Sequence, residues 1–405
     1  MFSLKFSKRN LLGIVGAITL ATITSSAALA QSKEPLTWSV NLSLTGPLAY
    51  SGELQAKGFE EFAEWVNQNG GIRGRKLTII TDDTQYKVAV SVANLKRAQS
   101  KATISFASGD GTPWVRAVSP ENNQTHKILM SSGSFASDLV DAAKYPLHFV
   151  PGPNYTDQII MLLEHIKKSH KGSAPARVAF IYSSTEFGRD PIQASKAHAR
   201  QLGLEVVLDE ETAFTAVDVS PVVVKMRGAQ PDYTIFQGYA TSVWPEVIRL
   251  AREYGLKSQF MGTIWAMDRG IIVKLGKAAD GYTGVSPYTF KSTGSKDEVL
   301  GAIDALRRKN DPAYDGYPTI PYMQSWFSAL MAKRAMEITI DAGKPITGEN
   351  LAKALRDLKD WNTGGVFGVP VNIIGNRVPV GRIYKYDAGK NFEPVPISDW
   401  ITVNK

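Results

Sequence analysis

"LTGPLAYSGELQAKG", residues 44–58, sets a glycine-proline turn and then Tyr50-Ser51-Gly52 between a stretch that reads as a strand and one that reads as a helix. Upstream, Leu36 to Ser43 has strand character. Downstream, Leu54 to Asn69 carries Phe59, Phe62, Ala63 and Val66 along one side at helical spacing. The alternation continues with a strand over 76–81, a helix over 88–100, a strand over 103–107, a helix over 113–124 and a strand over 128–131. Strands that alternate with helices predict βαβ units and a parallel sheet. The pattern then restarts: a helix over 157–169, the strand "RVAFIY" at 177–182, helices over 191–202, 220–228 and 243–254, and strands over 205–208, 233–236 and 259–262. Two consecutive doubly wound sheets, each too short for a barrel, predict two similar α/β lobes. "HFVPGPNY" at 148–155, 281–287 and 365–370 are candidate crossings between them. Three crossings make each lobe discontinuous, with 31–150 and 286–366 expected in the N-terminal lobe and 151–285 and 367–405 in the C-terminal lobe.

Residues 1–30 have the layout of an export signal. Lys5, Lys8 and Arg9 precede an apolar run over 11–21, and Ala28-Leu29-Ala30 forms a small-x-small cleavage site. The apolar run is diluted by Thr and Ser and falls short of the ~20 residues a span needs, so no membrane anchor is expected. The chain has no cysteine, which leaves no site for a lipid anchor, and a chain of this size can bury a core without disulfides. Together these predict a soluble periplasmic protein, cleaved after Ala30. Three basic residues lie in the leader, so the net charge falls from +8 to +5 on cleavage. The excess is spread out, and the clusters at 73–76 and 307–309 lack interleaved aromatics, so no nucleic-acid partner is expected.

Enzymatic constellations are missing. "GSFAS" at 133–137 lacks the last glycine of a nucleophile elbow. His165 and His170 are five apart, the wrong spacing for a zinc pair on a helix, and read as exposed helix residues. "GDGTPW" at 109–114 lacks the third glycine of a dinucleotide fingerprint, and no Walker A sequence occurs. Asp82-Asp83 and Glu210-Glu211 read as solvated acids. The expectation is a protein that is not an enzyme, with no cofactor and no metal.

Residues 44–83, "LTGPLAYSGELQAKGFEEFAEWVNQNGGIRGRKLTIITDD", resemble the opening of the type I periplasmic solute-binding proteins of the branched-chain amino acid class, which serve ABC importers. The likeness continues through "PDYTIFQGYATSVWPEVIRLAREYGLKSQFMG" at 231–262, "DGYTGVSPY" at 280–288 and a long helix over 322–342, and so covers essentially the whole mature chain. The resemblance implies two Rossmann-like lobes with parallel sheets, joined by three crossing strands and closing on a small solute. It implies an inner-membrane ABC permease as partner and a monomeric binding protein. A periplasmic sensor feeding a membrane receptor is the alternative role on the same fold.

Read through this resemblance, the opening turn places Tyr50 and Ser51 at the carboxyl end of the first strand, where open α/β sheets bind ligands. In "ASGDGTPW" (107–114), Thr112 reads as an N-cap with Pro113 at the first helical position, and its free N–H groups and hydroxyl suit a carboxylate. Gly133 and Ser134 of "MSSGSFAS" (130–137) would complete that grip. Asp110 is the complication, since facing the cleft it would repel an anion. Tyr155, Phe187 in "STEFGRD" (184–190) and Tyr239 in "FQGYATS" (236–242) would supply aromatic walls. The departure lies in "QFMGTIWAMD" (259–268): where amino-acid-binding relatives place a glutamate for the ligand's ammonium, this chain has Ile264 followed by Trp265. Burying an ammonium without a partner costs several kcal/mol. The resemblance, so modified, implies a small organic acid with an aromatic or hydrophobic body, with a branched-chain amino acid or an amide as the alternative.

Overall fold

A computed structural model describes residues 34–390 and 392–403. The leader expected at 1–30 lies outside the described residues. In the first lobe the chain runs β1 (Leu36–Leu42), α1 (Ala49–Gln68), β2 (Leu77–Asp83), α2 (Val88–Lys101), β3 (Ile104–Gly109), α3 (Thr112–Glu121) and β4 (Leu129–Met130). The strands are parallel in the order β2-β1-β3-β4. Strand β1 is central and covered on both faces, which is why Trp38, Val40 and Leu42 on one face and Ser39 and Asn41 on the other are all buried. Trp38 packs on Phe62 of α1 and Phe106 of β3, with ring centroids 6.0 and 5.0 Å away.

The second lobe contains α4 (Tyr155–Ser169), β5 (Arg177–Ser183), α5 (Glu186–Arg189), α6 (Ile192–Gln201), β6 (Glu205–Thr212), α7 (Ser220–Ala229), β7 (Tyr233–Gln237), α8 (Trp244–Glu253), β8 (Gln259–Gly262), α9 (Gly270–Leu275) and β9 (Thr283–Ser286). The chain then makes α10 (Glu298–Asn310), α11 (Ile320–Asp341) and α12 (Gly348–Arg356) before β10 (Val380–Asp387), β11 (Glu393–Pro396) and β12 (Ile401–Thr402). Helix α11 packs along α1: a Cβ on Gly58 would come within 2.8 Å of the Tyr322 carbonyl oxygen, so only glycine admits this approach. Strand β10 returns to the second sheet, pairing antiparallel with β9, β11 and β12. Among the described residues the second sheet runs β11-β10-β9-β8-β7-β5-β6, and its β5–β9 portion is parallel.

Both sheets thus repeat one order, with the second strand outside the first and the third on its other side. The reversal falls between β1 and β3 in one lobe and between β5 and β7 in the other, where this architecture opens a crevice at the strand ends. The chain passes between the lobes over 131–154, 287–297 and 357–379. We propose lobe boundaries inside these passages. His165 and His170, expected to be exposed, are half-buried. Asp83 is also more than a solvated acid. It accepts the N–H groups of Leu44 and Gln85 at 2.9 and 3.0 Å and the Thr45 hydroxyl at 2.6 Å, tying the opening turn to the end of β2. Gly46 at φ +85° lets the chain turn there.

Candidate ligand-binding cleft

The strand ends of the two sheets face each other. From the first lobe come Ser43 and Ser51 around the β1–α1 turn, Asp110 and Gly111 after β3, and Gly133 after β4; from the second come Tyr239 after β7 and Trp265 after β8. These residues, with Leu48, Gly52 and Gln55, enclose a cavity of about 10 Å3, the room one water needs. The lobes therefore meet with side chains filling the cleft. Trp265 lies against Gly133, where a Cβ would stand 3.5 Å from the indole Cζ2 and 3.0 Å from Gln55 Nε2. A solute larger than water enters only if the lobes part.

The aromatic wall expected from the second lobe forms a continuous chain. Tyr239 stands between Phe187 and Trp265, with centroids 4.8 and 5.9 Å away, and Phe187 touches Tyr155 at 5.5 Å. The Trp265 indole N–H donates to the Tyr155 hydroxyl at 3.1 Å, and burial pushes that phenol's pKa well up. Phe187 and Tyr155 sit behind the cavity lining. Ile264 does too: it is fully buried, and its N–H donates to Gln158 Oε1 at 2.9 Å.

Thr112 is not the cap that its sequence suggests. Gly111, at φ +83°, occupies the cap position, and Thr112 opens α3 without a capping bond. Its hydroxyl instead meets the Ser134 hydroxyl at 2.7 Å, with both side chains buried. The pair brings the ends of β3 and β4 together as expected, one layer below the cavity surface. Tyr50 is displaced further. It is 39 % exposed and points away from the cavity, donating its hydroxyl to Asp268 Oδ1 at 2.8 Å. Tyr50 and Ser51 are neighbours in the first turn of α1, so their side chains diverge: Ser51 borders the cavity and Tyr50 turns toward Asp268.

Asp110 does face it. Its Oδ2 accepts from the Ser43 hydroxyl and, at 2.9 Å, from the Thr84 hydroxyl. Burial raises its pKa above the usual carboxylate range, and the two hydroxyl donors oppose that rise. The cavity lining holds this one acid and no lysine or arginine. Gln55 was not singled out from the sequence. Its amide donates to Gln324 Oε1 of α11 at 2.6 Å, and only a recurrence of apolar positions that leaves Gln55 on the α1–α11 side could have marked it.

The Leu/Ile/Val-binding protein of Escherichia coli K12 is 25% identical over 303 residues, 74% of this chain and 78% of that protein. A branched-chain amino acid ABC transporter protein from Thermus thermophilus, solved with bound valine, superposes with a TM-score of 0.82 at 21% identity, covering 91% of this chain and 97% of that one. A solute-binding protein from Rhodopseudomonas palustris BisB5, solved with 3,4-dihydroxybenzoic acid, superposes at 0.76 with 16% identity, covering 92% and 99%. The periplasmic binding protein profile matches residues 39–385, and with two facing lobes of one strand order and a cleft at their strand ends, the chain belongs to the periplasmic binding protein family, solute-binding proteins of transporters rather than enzymes.

Proposed function

We propose that the protein captures a small solute with a carboxyl group and an apolar or aromatic body, by closure of its two lobes, in the periplasm. The closed form would then be read by an ABC permease. One observation carries this: Ser43 and Ser51 of the first lobe and Tyr239 and Trp265 of the second line one cavity at the ends of both parallel sheets. Closure is the mechanism because neither lobe alone surrounds a solute, and each would recruit the other's contacts. No helix among the described residues is long and apolar enough to cross a membrane.

Asp110 favours a second reading of the solute's head group. A buried carboxylate in a cavity without a cation repels an organic acid and attracts an ammonium or an amide N–H. It could therefore take the part that Ile264 cannot. The Leu/Ile/Val-binding relatives put amino acids on the test panel, and the neighbour solved with 3,4-dihydroxybenzoic acid puts aromatic acids on it.

The test is a thermal-shift screen of refolded protein against hydroxybenzoates, aliphatic acids, L-leucine, L-valine and small amides. A solute at 100 times its Kd stabilises the native state by about 2.7 kcal/mol, readily seen as a shift in Tm. Shifts with acids alone support the organic-acid solute; shifts with leucine or amides support the Asp110 head-group site. Asp110→Asn separates the two further. It should weaken an amino acid about tenfold and tighten a simple acid by a similar factor, since ~1.4 kcal/mol of charge interaction changes sign between them. Equal affinities before and after the change would remove Asp110 from the recognition of either.

A further inference from the structure

Three residues beyond Trp265, Asp268 makes bonds that its own lobe does not need. The residue is 2 % exposed. Oδ1 accepts the Tyr50 hydroxyl at 2.8 Å and the Gly270 N–H at 2.9 Å, and Oδ2 accepts the Ile320 N–H at 2.8 Å. Tyr50 lies in α1 and Ile320 begins α11, both packed on the first sheet; Asp268 lies beyond β8 of the second. Helix α11 has 22 residues, and Thr319 at its cap position makes no side-chain capping bond. The carboxylate at its N-terminus comes from the opposite lobe, where the helix dipole and the unpaired N–H groups favour a negative charge.

We propose that Asp268 is a latch between the lobes, a positioning residue that sets the open–closed equilibrium without touching the solute. The inference rests on the closing cleft described above. When the lobes part, Asp268 loses two of its three bonds and α11 loses its cap. The latch is coupled to the cavity through both of its anchors. On one side, the carbonyls of Trp265, Ala266 and Met267 accept from Ala240 N–H, Tyr282 hydroxyl and Tyr386 hydroxyl, at 2.9, 2.9 and 2.8 Å. Those three bonds fasten the 265–268 segment to the second lobe, so Trp265 and Asp268 move as one body. On the other side, Tyr50 adjoins Ser51, which lines the cavity. A solute that shifts Trp265 against Ser51 therefore shifts Asp268 against Tyr50 and Ile320.

The chain has no cysteine, so an introduced pair carries unique spin labels. Labels at Lys101 of α2 and Val224 of α7, both exposed, report the distance between lobes in the full mature protein without any solute. The wild type should show a closed population. Asp268→Ala should lower the closed-to-open ratio about tenfold, and Tyr50→Phe, which removes one cross-lobe bond and keeps the ring, should lower it about fivefold. Unchanged distances in both variants, or no closed population in the wild type, would overturn the latch. Tm distinguishes a merely structural role: a destabilised second lobe lowers Tm while leaving the distance ratio alone, and that outcome also counts against the proposal. Because no solute is used, failure here is separate from failure of the ligand panel.

Discussion

Asp157→Ala should destabilise the protein by about 3–5 kcal/mol, read from the urea midpoint. Asp157 Oδ2 accepts from Arg377 Nε at 2.6 Å, with side chains 7 % and 4 % exposed. Burial raises the carboxyl's pKa, and the guanidinium charge opposes that rise. Asp157 is also half of a capping box at the start of α4, where its N–H donates to Asn154 Oδ1 at 2.8 Å and its carboxylate accepts the Asn154 N–H at 3.3 Å. Arg377 lies in the third passage between the lobes and bridges Val150 in the first. The pair therefore stitches two of the three connections on which the lobes must swing. Removing the carboxylate takes from the buried guanidinium the acceptor at its Nε and takes away a helix cap. Asp157→Asn keeps an oxygen for Arg377 Nε and should cost less than the alanine. A loss below about 0.5 kcal/mol for Asp157→Ala would place it with exposed surface changes and refute the stitching role.

Short-range chemistry explains what the sequence made legible. The glycine-proline turn at 46–47, the apolar side of α1 and the buried run of β5 each depend on residues within one or two turns of one another. The alternation of strands and helices followed from them. Ser51, Gly133, Tyr239 and Trp265 were marked by the resemblance to the solute-binding family rather than by local spacing, and the structure sets all four around the cavity. Contacts that form only when distant segments meet could not be read this way. Tyr50 to Asp268 spans 218 residues and Asp157 to Arg377 spans 220. Thr112 failed for a local reason: Thr-Pro mimics a cap and first helical residue, but Gly111 reaches φ +83° and starts the helix one residue earlier. Asp110 was legible as a charge, while its orientation depended on the hydroxyls of Ser43 and Thr84, just past β1 and β2, that no spacing within "GDGT" reveals.

Gly52→Ala and Gly188→Ala should each cost about 3 kcal/mol, at the upper end for overpacking because backbone is what the new methyl meets. A Cβ on Gly52 would stand 1.9 Å from the Ser43 carbonyl oxygen, and one on Gly188 would stand 2.0 Å from the Ser183 carbonyl oxygen. Ser43 follows β1 and Ser183 ends β5, the central strands at the two strand-order reversals. One device therefore recurs in both lobes: a glycine in the first turn of a helix lets that turn close onto the end of the strand before it, which brings the helix start to the cleft. The two substitutions should differ in function. Gly52 and Ser43 both line the cavity, and Ser43 donates to Asp110, so a shifted 43–52 turn moves the cavity's acid and should weaken solute binding as well as stability. Gly188 and Ser183 lie behind the aromatic wall, so Gly188→Ala should act on stability first. Gly228 is the control. It lies in α7 with nothing within 4 Å of its added Cβ, and alanine there should stabilise by about 0.4–1 kcal/mol through the unfolded chain. Urea midpoints for the three variants, two lowered and one raised, would establish the close approach; if all three moved together, backbone entropy rather than the strand-end contact would govern both lobes.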